Sequence, residues 1–400
     1  MKQQKKKKWM RFRHKVLLVV GRPVMAVYLR LVYGMKIPRR RDRVKQQCLI
    51  LLNHQTPMDQ FFVAMHIQNF VYYMATEDIF SNGWISKLIR FLIAPIPIKK
   101  QTTDVQAVMN CIKVVREGGS LCIAPEGNRT YSGKTEYMNP AIGPLAKKLG
   151  LPIVLLRIDG GYGKEPRWSN VIRRGKLDVS ISRIISPEEC KAMTNEELVE
   201  AIREGLYVNE ACVGPEFHHK KLAEYLERAI YVCPQCGLSS FESHDDLLTC
   251  KKCGRQTRYL PTKELEGVGF ESPFRFVNDW YEYQKDFVNS FDPTTYTETP
   301  LYEDHAKVSR VIVYQRKEMI FEDAQIRLFG NRIEIQDMVL DFADISTVAV
   351  LGRNKLNIYY KDQLYQLKSH ERFNALKYVN LFYRSKNIMR GDRDGKFLGL

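Results

Sequence analysis

Three clusters in this sequence bring together residue types that can do chemistry. The first spans residues 53–59 and reads Asn-His-Gln-Thr-Pro-Met-Asp. An imidazole takes up a proton near neutral pH, and does so more readily when a carboxylate holds its other nitrogen. Pro57 suits the first position of a helix and Thr56 the cap before it, so Asp59 is expected in the first helical turn, facing back toward His54. The same letters also spell a capping box, in which Thr56 and Asp59 only satisfy helix N–H groups and His54 is a surface residue. The second cluster, residues 125–130, reads Pro-Glu-Gly-Asn-Arg-Thr. The fork of Arg129 matches two phosphate oxygens, and Glu126 can accept from a substrate hydroxyl; the plainer alternative is a polar turn.

The third cluster is Cys233-Pro-Gln-Cys236, then 13 residues, then Cys250-Lys-Lys-Cys253, each pair followed by glycine. Two such knuckles supply four thiolates for a tetrahedral zinc with no open position, hence a structural zinc ribbon without catalytic metal; a redox dithiol is the other possibility. His244, inside the intervening loop, is expected to be an unligated surface residue. The other five of the nine cysteines, Cys48, Cys111, Cys122, Cys190 and Cys212, are scattered, mostly in apolar runs, and read as reduced core residues.

The elements that must position the first two clusters follow from apolar patterning. Short apolar runs at 48–52, 94–98, 120–124 and 152–158 read as buried parallel strands, and Val105, Val108, Met109, Ile112 and Val115 line one face of a helix stopped by Gly118 and Gly119. Alternation of strands and helices predicts an α/β fold, a mostly parallel sheet flanked by helices. Both clusters then fall at carboxyl ends of strands, where such sheets collect ligands. Helices are expected at 195–206 and 216–230, and an aromatic helical connector around Trp280, Tyr281, Tyr283 and Phe287. Beyond it, runs at 311–314, 326–329, 332–335, 356–360 and 364–367, with a helix at 371–383, predict a C-terminal β-barrel or sandwich capped by a helix. The expected domains are a basic segment at 1–45, an α/β domain at 46–213, a linker helix and zinc ribbon at 214–260, a connector at 261–300 and a β-rich domain at 301–400.

The net charge of +17 is concentrated at the start of the chain: residues 1–45 hold 16 Lys and Arg against the single acid Asp42, and the rest is nearly balanced. That leaves no broad basic face for nucleic acid. Lys8, Arg11, Lys15, Arg22 and Arg30 share one sector of a helix, with Leu17, Leu18, Val24, Val27 and Leu31 outside it, the pattern of an element lying on an anionic membrane surface. Arg22 and Arg30 interrupt the run and disfavour spanning, and no small-residue cleavage site follows it. A core helix with a solvated basic tail is the bland alternative.

In their order and spacing the first two clusters resemble the glycerolipid acyltransferase family that includes the lysophosphatidate acyltransferases. The family's first block, NHxSxxD, is here NHQTPMD, with Thr56 for serine. Its EGTRS block is EGNRT, with Asn128 and Thr130 as departures. A block ending in arginine is similar to residues 94–100, which places Lys100 at the arginine position, and a proline-rich strand to 151–154. The resemblance spans residues 45–213. It implies His54 as general base on the acceptor hydroxyl, Asp59 orienting it, and Arg129 with Lys100 on the acceptor phosphate. Glu126, Gly127, Asn128 and Thr130 would shape the rest of the substrate site. It further implies a thioester acyl donor, acyl-CoA or acyl carrier protein, and a peripheral place on the cytoplasmic face of a membrane. The C-terminal strands and helix resemble the pleckstrin-homology type. The ribbon or the β-rich domain would serve a protein partner. Lysophosphatidate is the expected acceptor, with glycerol 3-phosphate or another lysophospholipid as alternatives. From a different class, a non-catalytic membrane-tethered adaptor is the competing reading.

Overall fold

A computed structural model of the chain describes residues 9–98 and 104–392. These form two compact units. The first comprises residues up to 129 together with 138–161 and 176–208; the second comprises 130–137, 162–175 and 209 onward. The short stretches 130–137 and 162–175 lie within the expected α/β domain, yet pack with the second unit.

The first unit is built on six strands, β1 (Leu49–Leu52), β2 (Val71–Thr76), β3 (Ile96–Ile98), β4 (Ser120–Ile123), β5 (Ile153–Asp159) and β6 (Asp178–Ile185), in the order β3-β2-β4-β1-β5-β6. All neighbours are parallel except β5 and β6, which pair antiparallel at one edge. The helices between them are α1 (Phe12–Tyr33), α2 (Asp59–His66), α3 (Trp84–Leu92), α4 (Val105–Arg116) and α5 (Ile142–Leu149). The chain passes between units within the single turn α6 (Gly161–Lys164), and α7 (Pro187–Ala192) and α8 (Asn195–Leu206) follow β6. β1 is buried along its whole length because both sheet faces are covered, which is why it reads as a continuous apolar run. Leu49 and Leu51 meet Cys111 and Val114 of α4, Ile142 and Ala146 of α5 and Leu198 and Ile202 of α8 in one core. Thr194 and Glu197 close a reciprocal capping box at the start of α8.

The helix α1 is 22 residues long, its most apolar 18-residue stretch has a mean hydropathy of 1.7, and it is long and apolar enough to cross a membrane by length and composition. Its Arg22 does not face outward with the other cations, contrary to the sector expected from sequence. The guanidinium donates to the carbonyls of Ala64 (3.0 Å), Ile67 (2.6 Å) and Gln68 (3.1 Å), capping the C-terminal end of α2. A helix end carries partial negative charge and unpaired carbonyls, so a cation there is favoured. Burial and the nearby Arg43 bring the pKa of Arg22 down to about 10. The ring of Tyr33 meets Phe62 edge-on at 5.6 Å, fastening α1 to α2 a second time.

The second unit opens with two short antiparallel sheets. β7 (Val232–Cys233) pairs with β8 (Gly237–Leu238), while β9 (Phe241–His244), β10 (Leu247–Cys250), β11 (Gln256–Tyr259) and β12 (Leu265–Gly267) form a meander. The helix α9 (Val277–Ser290) follows, then seven strands: β13 (Tyr302–Val311), β14 (Glu318–Leu328), β15 (Arg332–Ile335), β16 (Met338–Asp341), β17 (Ile345–Leu351), β18 (Lys355–Tyr360) and β19 (Gln363–Lys368). Two meanders, β13 to β16 and β17 to β19, are joined by β13 against β19, all antiparallel, and α10 (Leu376–Met389) follows the last strand. This arrangement is compatible with the sandwich expected from sequence. One hydrophobic core runs through the unit, joining Tyr131, Tyr162 and Trp168 to Cys233, Tyr259, Trp280, Leu328 and Phe382.

Two expectations fail here. Residues 216–230 are not a helix: His218 bridges antiparallel to Arg174, and Tyr225 takes φ +75°, so only a single turn at Leu226–Arg228 is helical. In the run at 311–314 only Val311 is strand, the last residue of β13, and a turn follows with Tyr314 at φ +69°.

Candidate active site

β1 ends at Leu52, and the next residue replaces backbone with side chain. The Asn53 carboxamide donates to the Ile158 carbonyl (2.8 Å) and accepts from the Ile158 N–H (2.8 Å), so the link to β5 continues while the main chain turns away. His54 is thereby fixed at the carboxyl end of the sheet. Its Nδ1 lies 2.7 Å from Asp59 Oδ2, and a carboxylate at that distance assigns the ring proton to Nδ1. Nε2 is left with a lone pair and no protein hydrogen bond among the described residues, on a side chain 30% exposed.

Asp59 is the better-held partner. It is 1% exposed and accepts from the N–H of Gln55 (2.9 Å), the N–H of Thr56 (2.9 Å) and the Thr56 hydroxyl (2.8 Å), as well as from His54. The helix starts at Asp59 rather than at Pro57, because the Thr56 hydroxyl accepts from the Met58 N–H (3.1 Å) in a local turn instead of capping. Asp59 does what both sequence readings asked: it satisfies loop N–H groups and orients an imidazole.

The second cluster follows β4. Glu126 is buried, and its Oε1 accepts from the His54 N–H at 2.8 Å, which binds the two clusters into one site. Gly127 turns the chain at φ +70°, with its N–H donating to Ala124; nothing crowds a Cβ there, so the backbone angle alone accounts for glycine. Asn128 and Arg129 follow, half-buried. Thr130 belongs to the second unit, where its hydroxyl accepts from Ser132 (3.2 Å) and Gly133 (3.0 Å). Lys100 lies outside the described residues. Two residues were given no role from sequence: Asn53, the anchor, and Gln55, fully buried, whose amide makes no hydrogen bond among the described residues. Their positions flanking His54 were visible, but burial of a polar residue is not a sequence signal.

Cys48 and Cys122 do not compete for the role of base. Burial pushes Cys48 up to about 11 and Cys122 well above the usual thiol range, with the charge of Asp59 adding to the latter. The arrangement is therefore an imidazole with a free Nε2, held by a buried carboxylate, with a glutamate on its backbone N–H.

In the second unit, Cys233, Cys236, Cys250 and Cys253 bring their sulfurs within 4.8 Å of one another. Tetrahedral zinc with Zn–S near ~2.3 Å places sulfurs about 3.8 Å apart, and Cys233 and Cys253 stand at 3.8 Å. Gly237 (φ +68°) and Gly254 (φ +73°) close the two knuckles. His244 is no part of the cluster; its Nε2 pairs with Glu242 at 3.1 Å.

Residues 32–158 match the family model described as acyltransferase. This stretch of the chain is an acyltransferase-family domain. Over 152 residues the chain is 23% identical to the chloroplastic 1-acyl-sn-glycerol-3-phosphate acyltransferase of Brassica napus, a match covering 37% of this chain and 44% of that protein. Over 137 residues it is 25% identical to the 1-acyl-sn-glycerol-3-phosphate acyltransferase of Bacillus subtilis, covering 34% of this chain and 65% of that one. The chain thus spans about half to two thirds of the length of these relatives. The crystal structure of the 1-acyl-sn-glycerophosphate acyltransferase of Thermotoga maritima aligns with a TM-score of 0.40 at 21% identity, over 49% of this chain and 80% of that one. The acyltransferase family model covers both clusters of the candidate site, and the second unit from residue 162 onward lies outside it.

Proposed function

We propose that the acyltransferase unit moves a fatty acyl group from a thioester, acyl-CoA or an acyl carrier protein, to the free hydroxyl of lysophosphatidate, giving phosphatidate. The observation that carries this reading is the pairing of His54 Nδ1 with buried Asp59 at 2.7 Å, which leaves Nε2 able to accept a proton. His54 Nε2 takes the hydroxyl proton as the oxygen attacks the thioester carbonyl. The resulting imidazolium is stabilised by Asp59. The tetrahedral oxyanion collapses, the C–S bond breaks, and the thiolate leaves as the thiol after taking the proton from His54. Arg129, with Lys100 as a second candidate, binds the acceptor phosphate.

A transfer assay with purified protein, labelled acyl-CoA or acyl carrier protein and a panel of glycerol 3-phosphate, lysophosphatidate and other lysophospholipids tests the reading. Preferential acylation of lysophosphatidate is expected, and no transfer to any acceptor would overturn it. Arg129→Ala is expected to raise KM for lysophosphatidate at least about tenfold while leaving KM for a phosphate-free monoacylglycerol unchanged; equal effects on both would remove Arg129 from the phosphate.

Membrane association on the cytoplasmic face belongs to the same proposal. The outer side of α1 leaves Phe12, Val19, Val24 and Leu31 exposed, and α3 adds Trp84, Ile85, Leu88 and Phe91 at helical spacing. Arg13 stacks on Phe91 at 4.0 Å, so the two helices offer neighbouring apolar surface. With Arg22 holding α1 against α2, the helix lies along the unit, which favours embedding in one leaflet. Mixing the protein with vesicles containing phosphatidate is expected to shift tryptophan emission to the blue in wild type and much less in Trp84→Phe, while Leu88→Glu lowers the bound fraction severalfold. Unchanged binding of Leu88→Glu would exclude α3 from the membrane face.

The four-cysteine cluster is proposed to hold one structural zinc, supplying fold stability and no chemistry to the transfer. The remaining β-rich part of the second unit, of pleckstrin-homology type in this reading, is a candidate for binding a protein partner.

A further inference from the structure

The second unit contains an open surface hollow of about 710 Å³ that no part of the transfer reaction uses. Its lining includes Arg174, His218, His219, Lys220 and Lys221. Neither Arg174, Lys220 nor Lys221 has a carboxylate partner among the described residues, although elsewhere in the unit cations such as Arg353 and Arg372 are paired with Glu165, Glu224 and Glu227. Glu216 pairs with His218 at 3.1 Å, which leaves Arg174, Lys220 and Lys221 as like charges around one hollow, and an anion in it would relieve their repulsion. The imidazole of His219 adds a further donor: its Nδ1 accepts from the Lys221 N–H at 2.9 Å, which leaves the proton of the neutral ring on Nε2.

The framework around these groups is rigid. Phe217 is buried at 1% exposure, and a Cβ on Gly163 or Gly175 would meet its ring at 2.2 or 2.3 Å, so both glycines are needed for it to seat. On either side of Phe217 the backbone is tied down. Its own N–H donates to the Pro261 carbonyl at 2.9 Å, and His218 exchanges two hydrogen bonds with Arg174, at 2.8 and 3.0 Å. Arg174 therefore projects from a braced bridge, Lys220 and Lys221 from the exposed bend that follows it, and Leu222 and Pro261 supply apolar wall.

We infer that this cavity is a binding site for a phosphate group, carried by a soluble phosphate ester or by the headgroup of an anionic lipid, with Arg174, Lys220 and Lys221 as its ligands. The test uses the full-length protein and two probes, inorganic pyrophosphate by titration calorimetry and phosphatidylcholine vesicles containing phosphatidate by flotation. Wild type is compared with Lys220→Gln/Lys221→Gln and with the charge-matched control Lys307→Gln/Lys361→Gln, at surface cations away from the cysteine cluster. The cavity variant is expected to bind at least one probe roughly tenfold more weakly, with thermal stability, tightly bound metal and acyl transfer to soluble glycerol 3-phosphate or lysophosphatidate as in wild type. Loss of pyrophosphate binding identifies a soluble ester, and loss confined to vesicles identifies a headgroup. Equal losses in the control, or none in the cavity variant with either probe, would overturn the inference. Absence of any transfer by wild type would refute the acyltransferase reading while leaving this result intact.

Discussion

His54→Ala is expected to lower acyl transfer by roughly a thousandfold or more, within the range for removing a general base held by a carboxylate, while thermal stability and vesicle binding stay close to wild type. The stability half of this expectation rests on geometry. The His54 ring is partly exposed and makes one side-chain hydrogen bond, whereas its backbone N–H, which holds Glu126, survives the substitution. Asp59→Ala should behave differently. It strips acceptors from the N–H groups of Gln55 and Thr56 in a buried loop, each costing about 1–3 kcal/mol, so both melting temperature and activity fall. A labelled-acyl transfer assay beside thermal denaturation separates the two. Residual activity above a tenth of wild type in His54→Ala would remove the residue from proton transfer and favour the adaptor reading.

The second large effect is expected on the metal. Preparations should contain zinc equimolar with protein, and Cys233→Ser/Cys250→Ser should lose it. Structural zinc bound by such knuckles contributes on the order of 10–16 kcal/mol, comparable to or larger than the whole stability of a typical domain. Cys233 and Cys250 sit in the same core as Trp280, Leu328 and Phe382, so the damage should spread beyond the knuckles. Limited proteolysis is expected to cut the second unit of the variant throughout, starting with β7 to β12. A folded wild-type preparation free of metal by elemental analysis would refute the zinc assignment.

Much of the first unit could be read from its letters, for identifiable reasons. Parallel strands buried on both faces leave continuous apolar runs, and those at 48–52, 120–124 and 152–158 emerge as β1, β4 and β5 within a residue or so at each end. β2 and the antiparallel edge strand β6 escaped because their burial is partial and their pattern mixed. Helix α3 has a strong apolar face, but that face is turned outward, so it carries no pattern of a core-facing helix. In the candidate site, the spacing of His54 and Asp59 foretold their contact, and strand ends foretold where both clusters sit. The bond from His54 N–H to Glu126 was not legible, because residues 72 apart in the chain meet only through the pairing of β1 with β4. Arg22 was misread for a related reason. A cation on an apolar helix signals a membrane surface unless its partners are carbonyls, and carbonyls leave no trace in a sequence. Residues 130–137 and 162–175 were likewise assigned by continuity of the chain, whereas the burial of Tyr131, Tyr162 and Trp168 assigns them to the other unit.

Asn53 acts as a counterfeit peptide group. Its carboxamide offers β5 the same donor and acceptor that a further strand residue would have offered, at the same 2.8 Å. The sheet therefore extends one step past the point where its backbone has left, and the main chain carrying His54 is free to lend its own N–H elsewhere. Aspartate, nearly identical in size, would lose the donated half of that exchange, and leucine both halves. The position of the imidazole is in this sense measured from the neighbouring strand, while Thr56, buried in the loop that follows, fixes the carboxylate that meets it.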